Sequence, residues 1–162
     1  MVKTVEESAL IESRIFEIFS GLASTIGYSP IHGKIIGALL VEGRTLPLQE
    51  LAEKTGYSSG MVSLSLDLLE VLGVIKKIKR SGDRKLYVKL EGDLLEVLKN
   101  AVVIKVKKGI TESLADLSEK REDVRKLRGA EKQNLEKTLD TLEGEIRRLE
   151  KYVNLLSGIK LP

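Results

Sequence analysis

The spacing of apolar residues changes repeatedly along this chain, and each change predicts an element. Over residues 5–26, Ala9, Leu10, Ser13, Phe16, Phe19, Leu22 and Ala23 fall near one side of a helix that Gly27 closes. Ser29 and Pro30 restart the chain as N-cap and first helical residue, and Ile35, Ile36, Leu39 and Leu40 carry a second helix to Glu42-Gly43. After a Gly43-Arg44-Thr45 loop, a short helix starts at Pro47 with Leu48, Leu51 and Ala52 facing inward. Gly56 turns the chain and Ser58 caps the next helix. There Val62, Leu66, Leu69 and Leu72 recur at helical steps and must be buried, while Ser59, Gly60, Ser63, Leu64 and Asp67 occupy the opposite face. Gly73 ends that helix. Residues 74–78 alternate with β-branched side chains, Ser81-Gly82-Asp83 is turn chemistry, and Leu86-Tyr87-Val88 returns as an antiparallel partner.

From Gly92 onward the pattern becomes long and helical. Leu94, Leu95, Leu98, Val102, Val106, Ile110, Leu114 and Leu117 form one stripe, Val124 and Leu127 extend it, and Arg128-Gly129 is a point of interruption. Leu135, Leu139, Leu142, Ile146, Leu149, Val153 and Leu156 then follow the four-three alternation of a coiled-coil seam. A stripe that narrow needs a partner helix, supplied by the first helix, by the preceding long helix folded back at Gly129, or by a second chain. The step from Val124 to Leu135 also spans three whole turns, so a single unbroken helix is compatible with the pattern.

A short helix, a glycine turn, a capped second helix and a hairpin in succession make a winged helix-turn-helix. The expected fold is therefore mainly α, with a small β-hairpin wing and long C-terminal coiled-coil or dimerisation helices. Residues 1–28 are expected as an N-terminal helix packing with the dimerisation helices, 29–91 as the winged helix, and 92–162 as the helical dimerisation region.

Charge singles out the wing. Lys76, Lys77, Lys79, Arg80, Arg84, Lys85 and Lys89 stand against the single acid Asp83, a local balance of +6 in a chain whose formal charge is +3, so the remainder is net acidic at −3. A basic projection beside a helix with a small, uncrowded outer face suits duplex DNA. The bland alternative is a lysine-rich edge that only resists aggregation.

Composition narrows the function classes. With no cysteine there is no disulfide framework and no thiolate metal site, and the lone His32 lacks a second histidine or a cysteine to complete a zinc site. No metal or cofactor is expected. Neither a Ser-His-acid or Cys-His arrangement nor a glycine-rich phosphate loop is present, and the C-terminal acids alternate with Lys and Arg as on a solvated face, so no enzyme is expected. The first dozen residues are acidic and amphipathic, and no stretch approaches the ~20 apolar residues of a bilayer span, which implies a cytoplasmic protein without a membrane partner. The bias toward charged residues over Asn, Gln and Cys resembles that of proteins working at high temperature.

The run TGYSSGMVSLSLDLLEVLGVIKKIKRSGDRKLYVKL resembles the winged-helix segment of GbsR/MarR-type transcriptional regulators, including archaeal-like members. A glycine turn, a Ser-x-Gly-x-Val-Ser start, a Leu-rich helix ending in Leu-Gly-Val and a Gly-Asp-Arg-Lys wing recur there in order. The resemblance implies a homodimer on pseudo-palindromic operator DNA, acting as a regulator, in the first instance a repressor. It also implies a small-molecule effector pocket between winged helix and dimer helices. Members often carry a basic or amide residue in mid-recognition helix, where this chain has Ser65 and Asp67. An aromatic cage for a quaternary ammonium would have to draw on Phe16, Phe19, Tyr28 or Tyr57, which are more simply core.

The residues expected at DNA are Ser58, Ser59, Gly60, Met61 and Ser63 on the recognition helix and Lys76, Lys77, Lys79, Arg80, Arg84 and Lys85 on the wing. Those expected in the dimer seam are Leu135, Leu139, Leu142, Ile146, Leu149, Val153 and Leu156. Two rival readings remain: an architectural or basal transcription factor with little sequence preference, and a coiled-coil protein-interaction module.

Overall fold

A computed structural model describes residues 2–162, with side chains from Val5 onward. The chain divides into two compact units, Met1–Leu98 and Lys99–Pro162.

In the first unit, α1 (Val2–Thr25) lies along α2 (Pro30–Glu42). The two backbones approach so closely that a Cβ at Gly33 would stand 2.1 Å from the Phe19 carbonyl oxygen, so glycine alone fits there. Ser20 is buried at the same crossing and donates its hydroxyl to the Pro30 carbonyl at 3.2 Å. The buried side of α1 is therefore turned from the expected one. Leu10 and Leu22 are exposed, while Phe16 and Phe19 are half-buried against α2. A second apolar set on α1, Ile11, Ile18 and Leu22, faces away from that packing. Ser29 is the N-cap of α2 and Pro30 its first residue, as the pattern indicates, but the Ser29 side chain makes no cap bond.

The sheet has one strand more than the pattern predicts. β1 (Leu46–Pro47), β2 (Ile75–Lys79) and β3 (Leu86–Leu90) are antiparallel in the order β1-β3-β2, with Leu46 opposite Val88 and Ile78 opposite Tyr87. Pro47 is thus a strand residue and the N-cap of α3 (Leu48–Thr55), not its first helical residue. A strand of two residues is too short to show alternation. Its Leu46 nevertheless lies in the centre of the core with Ile35, Leu39, Leu51, Val62, Leu66, Leu69, Val74 and Val88, all less than 2% exposed. Helix α4 (Ser59–Val71) closes at Leu72 with the Gly73 N–H bonded to the Glu70 carbonyl (3.0 Å) and the Val74 N–H to the Leu69 carbonyl (2.9 Å). That paired arrangement needs a left-handed residue, and Gly73 supplies it at φ 77°.

The second unit is a helical hairpin. α5 (Leu94–Arg125) ends before Leu127 and α6 (Gly129–Gly158) folds back on it, so the break at Arg128-Gly129 is real and the unbroken helix is not formed. Val103, Ile110 and Val153 form the small buried cluster, with Val106, Leu114, Ile146 and Leu156 packed around it. Near the bend, Arg121 joins the two helices through Asp140 (2.7 Å) and Glu143 (2.9 Å). The expected seam is split by this packing. Leu139, Ile146 and Val153, seven residues apart, are buried or half-buried, whereas Leu135, Leu142 and Leu149, also seven apart, remain 36%, 47% and 44% exposed.

Candidate nucleic-acid interface

α4 is presented by the core beneath it. Val62, Leu66 and Leu69 anchor one side, and the Ser58 hydroxyl caps the start by accepting the Met61 N–H at 3.3 Å. The outer side begins with a first turn whose backbone donors and dipole favour anions, and Gly60 adds no side chain to obstruct approach. Several outer polar groups are already engaged within the protein. Ser59 donates to the Gln49 side chain at 3.0 Å, which ties α4 to α3. Ser65 is buried and donates back to the Met61 carbonyl at 2.9 Å, so it is not an outward position of the helix. Asp67 points outward but holds Lys77. Ser63 is half-buried, while Met61 and Leu64 are exposed.

The hairpin separates its cations by role. Lys76, Lys79, Arg80, Arg84 and Lys85 are exposed. Lys77 instead leans onto the end of α4, where its ammonium meets Asp67 and Glu70 (3.1 Å to the latter) and its backbone N–H donates to Glu70 at 3.1 Å. The Asp67 carboxylate, then that of Glu70, raises the Lys77 pKa, and the Lys77 N–H followed by its ammonium lowers that of Glu70. Lys89 lies beside Glu91. Charge counting along the sequence cannot make this distinction. The signal for it is the pair Asp67 and Glu70, three residues apart on a helix face adjoining the strand.

Asp83, the one acid of the wing, organises the tip. One carboxylate oxygen accepts the Lys85 N–H at 2.9 Å and the other the Tyr87 hydroxyl at 2.8 Å. These bonds, the backbone one first, lower the Asp83 pKa, and the same carboxylate raises that of Tyr87. The Arg80 guanidinium lies 4.0 Å from the Tyr87 ring centroid, a cation–π contact that fixes its direction. A groove between the wing and the two helices is lined by Leu48, Gln49, Ser59, Arg84, Lys85 and Leu86, with Glu50 and Glu53 on its α3 side.

The four aromatics considered for a cage have local partners. Phe16 and Phe19 pack over Gly37, Tyr28 meets His32 edge-on, and Tyr57 lies under the Lys34 ammonium at 5.6 Å. His32 also hydrogen-bonds the Ser29 carbonyl through Nδ1 at 3.2 Å. Among the described residues no group of three or more His, Asp or Glu side chains is placed to hold a metal ion, and no helix is long and apolar enough to cross a membrane.

No family model matches the sequence, and no curated protein matches it. Among solved structures the chain is similar to one described as a transcriptional regulator, at 18% identity over 91% of this chain and 95% of that one, with a TM-score of 0.63. It is also similar to a mutant of S. aureus MepR bound to an oligodeoxyribonucleotide, at 14% identity over 90% and 98% of the two chains, TM-score 0.43. A third is AbsC, a MarR family transcriptional regulator from Streptomyces coelicolor, at 18% identity over 90% and 93%, TM-score 0.41. At these identities the likeness is one of fold.

Proposed function

We propose that this chain, a winged helix similar in fold to a solved transcriptional regulator, is a transcriptional regulator of the MarR type that binds double-stranded DNA as a homodimer on pseudo-palindromic operators. The observation that carries this reading is the wing: five exposed cations, Lys76, Lys79, Arg80, Arg84 and Lys85, on a hairpin whose tip is fixed by Asp83 and Tyr87, in a chain that is otherwise net acidic. In this reading α4 enters the major groove with its first turn toward the bases, and the wing cations lie along phosphate. Repression follows from occupancy of a promoter.

The dimer is supported by the second unit. Leu135, Leu142 and Leu149 form a heptad-spaced stripe that the α5–α6 packing leaves about 40% exposed, and a second copy of this chain covers it most simply. Two winged helices then read two half-sites about one helical turn apart, roughly 34 Å. The test is selection of binding sites from a random duplex library, followed by titration at several salt concentrations. Recovery of an inverted repeat bound two chains at a time supports the reading, and equal binding to every duplex favours an architectural factor instead.

A further inference from the structure

The outer face of α4 lacks the side chains that usually read bases in the major groove. The helix sequence SGMVSLSLDLLEV holds no Arg or Lys for guanine and no Asn or Gln for adenine. Its remaining polar groups are mostly spent on internal bonds. The Ser58 oxygen takes the Met61 N–H, Ser59 donates to Gln49, Ser65 donates to the Met61 carbonyl, and Asp67 holds Lys77. Between Gly60 and Asp67 the most exposed side chains are an apolar pair, Leu64 at 74% and Met61 at 50%, beside a half-buried Ser63. A leucine so exposed in the middle of a helix whose other side is fully buried gains nothing for the fold.

Resting on the DNA-binding reading above, we propose that Leu64, with Met61 one turn earlier, is the base-reading surface of α4, and that the feature it reads is the C5 methyl group of thymine. Thymine is the only standard base that projects a methyl into the major groove, and an apolar side chain is its natural complement. Charge complementarity makes duplex DNA the occupant: Arg84 and Lys85 of the wing are exposed and line one groove with Ser59 in the first turn of the same helix. Gly60, whose missing side chain leaves open space, lets the helix approach closely enough for Leu64 to reach the base edges. Val71, also exposed, lies at the far end of the helix, two turns from Leu64.

The test removes the methyl without changing base pairing. A duplex selected by the wild-type chain is remade with 2′-deoxyuridine in place of each thymidine in turn, and binding is measured for wild type and for Leu64→Ala. At one thymine in each half-site the wild type should weaken about fourfold, the equivalent of ~0.8 kcal/mol for one buried methyl. Leu64→Ala, which removes the contact from both half-sites of the homodimer, should bind the thymine duplex about sixteenfold more weakly than wild type, should no longer distinguish thymine from uracil, and should keep the wild-type salt dependence. Wild-type binding that ignores every uracil substitution, or a Leu64→Ala chain as sensitive to uracil as wild type, overturns the proposal while leaving sequence-selective DNA binding intact. A Leu64→Ala chain with altered oligomeric state in sedimentation would also overturn it, by making the patch a protein contact. Should the wild type bind no duplex at all, the DNA-binding reading falls as well.

Discussion

Leu66 and Leu149 are leucines at regular helical spacing, yet Leu66 is wholly enclosed and Leu149 is 44% exposed. Around Leu66 the first unit closes from several directions, with α2, α3, α4 and the sheet all contributing residues that solvent does not reach. Leu149 sits on the α5–α6 hairpin, whose buried cluster is small. The first unit has a large closed core; the second buries only a small cluster. With Leu135, Leu142 and Leu149 36%, 47% and 44% exposed, covering the stripe would gain roughly 0.6–1.2 kcal/mol per side chain, the driving force a second copy would draw on.

The sharpest way to break this contrast is to place Asp at both Leu142 and Leu149. In a single chain these positions border solvent, so the hairpin should keep its helical signal, whereas association should lose about 3–5 kcal/mol for each charge stranded in the seam. Circular dichroism together with sedimentation equilibrium reads both quantities. A double variant that stays dimeric would move the dimer contact to the exposed side of α1, around Ile11, Ile18 and Leu22. Leu66→Ala should do the reverse, costing ~3 kcal/mol of unfolding free energy in urea without altering the dimerisation constant of the folded chain. Smaller still is the effect of Arg84→Ala with Lys85→Ala. Fold and assembly should be unchanged, and the log-log salt slope of DNA binding should flatten by about 1 for each phosphate no longer neutralised. Lys77→Ala should leave that slope alone, since its ammonium is held by Asp67 and Glu70.

The smallest expected effect is on pH. Lys54 holds the Glu42 carboxyl below its usual range, chiefly by a hydrogen bond, and Glu143 is lowered similarly by Arg147 and Arg121. Because these folded-state values lie below the unfolded ones, their stabilisation is complete above about pH 4.3 and is lost as pH falls further. Urea midpoints should therefore be lower at about pH 3 than at about pH 6, with the fall confined to the acid end, and Glu42→Gln should narrow the difference.

Much of this architecture is legible in the amino-acid sequence. The α4 face, its Ser58 cap, the Gly73 stop and the hairpin follow from spacing and turn chemistry, because those signals are local. Three features are not legible. β1 is two residues long and carries no period, so nothing in the sequence marks Leu46 as central core. Helix α1 is apolar on more than one side, and sequence spacing selects a face containing Leu10 and Leu22 where close approach at Gly33 selects another. At the candidate interface, composition counts seven wing cations as equivalent, and only the fold distinguishes the five exposed ones from Lys77, held by Asp67 and Glu70, and Lys89, beside Glu91. Leu64 is visible as an outward residue from spacing alone. Its significance appears only once the serines beside it are seen to be bonded internally.

In the proposed regulator one unit reads DNA and the other joins two such readers. The direct measurement is sedimentation velocity of the chain on a selected inverted-repeat duplex, comparing wild type with Leu142→Asp/Leu149→Asp. Two wild-type chains are expected on each duplex, and for the double variant single chains of much weaker affinity at each half-site. One wild-type chain per duplex, or a monomeric double variant binding as tightly as wild type, would contradict this reading.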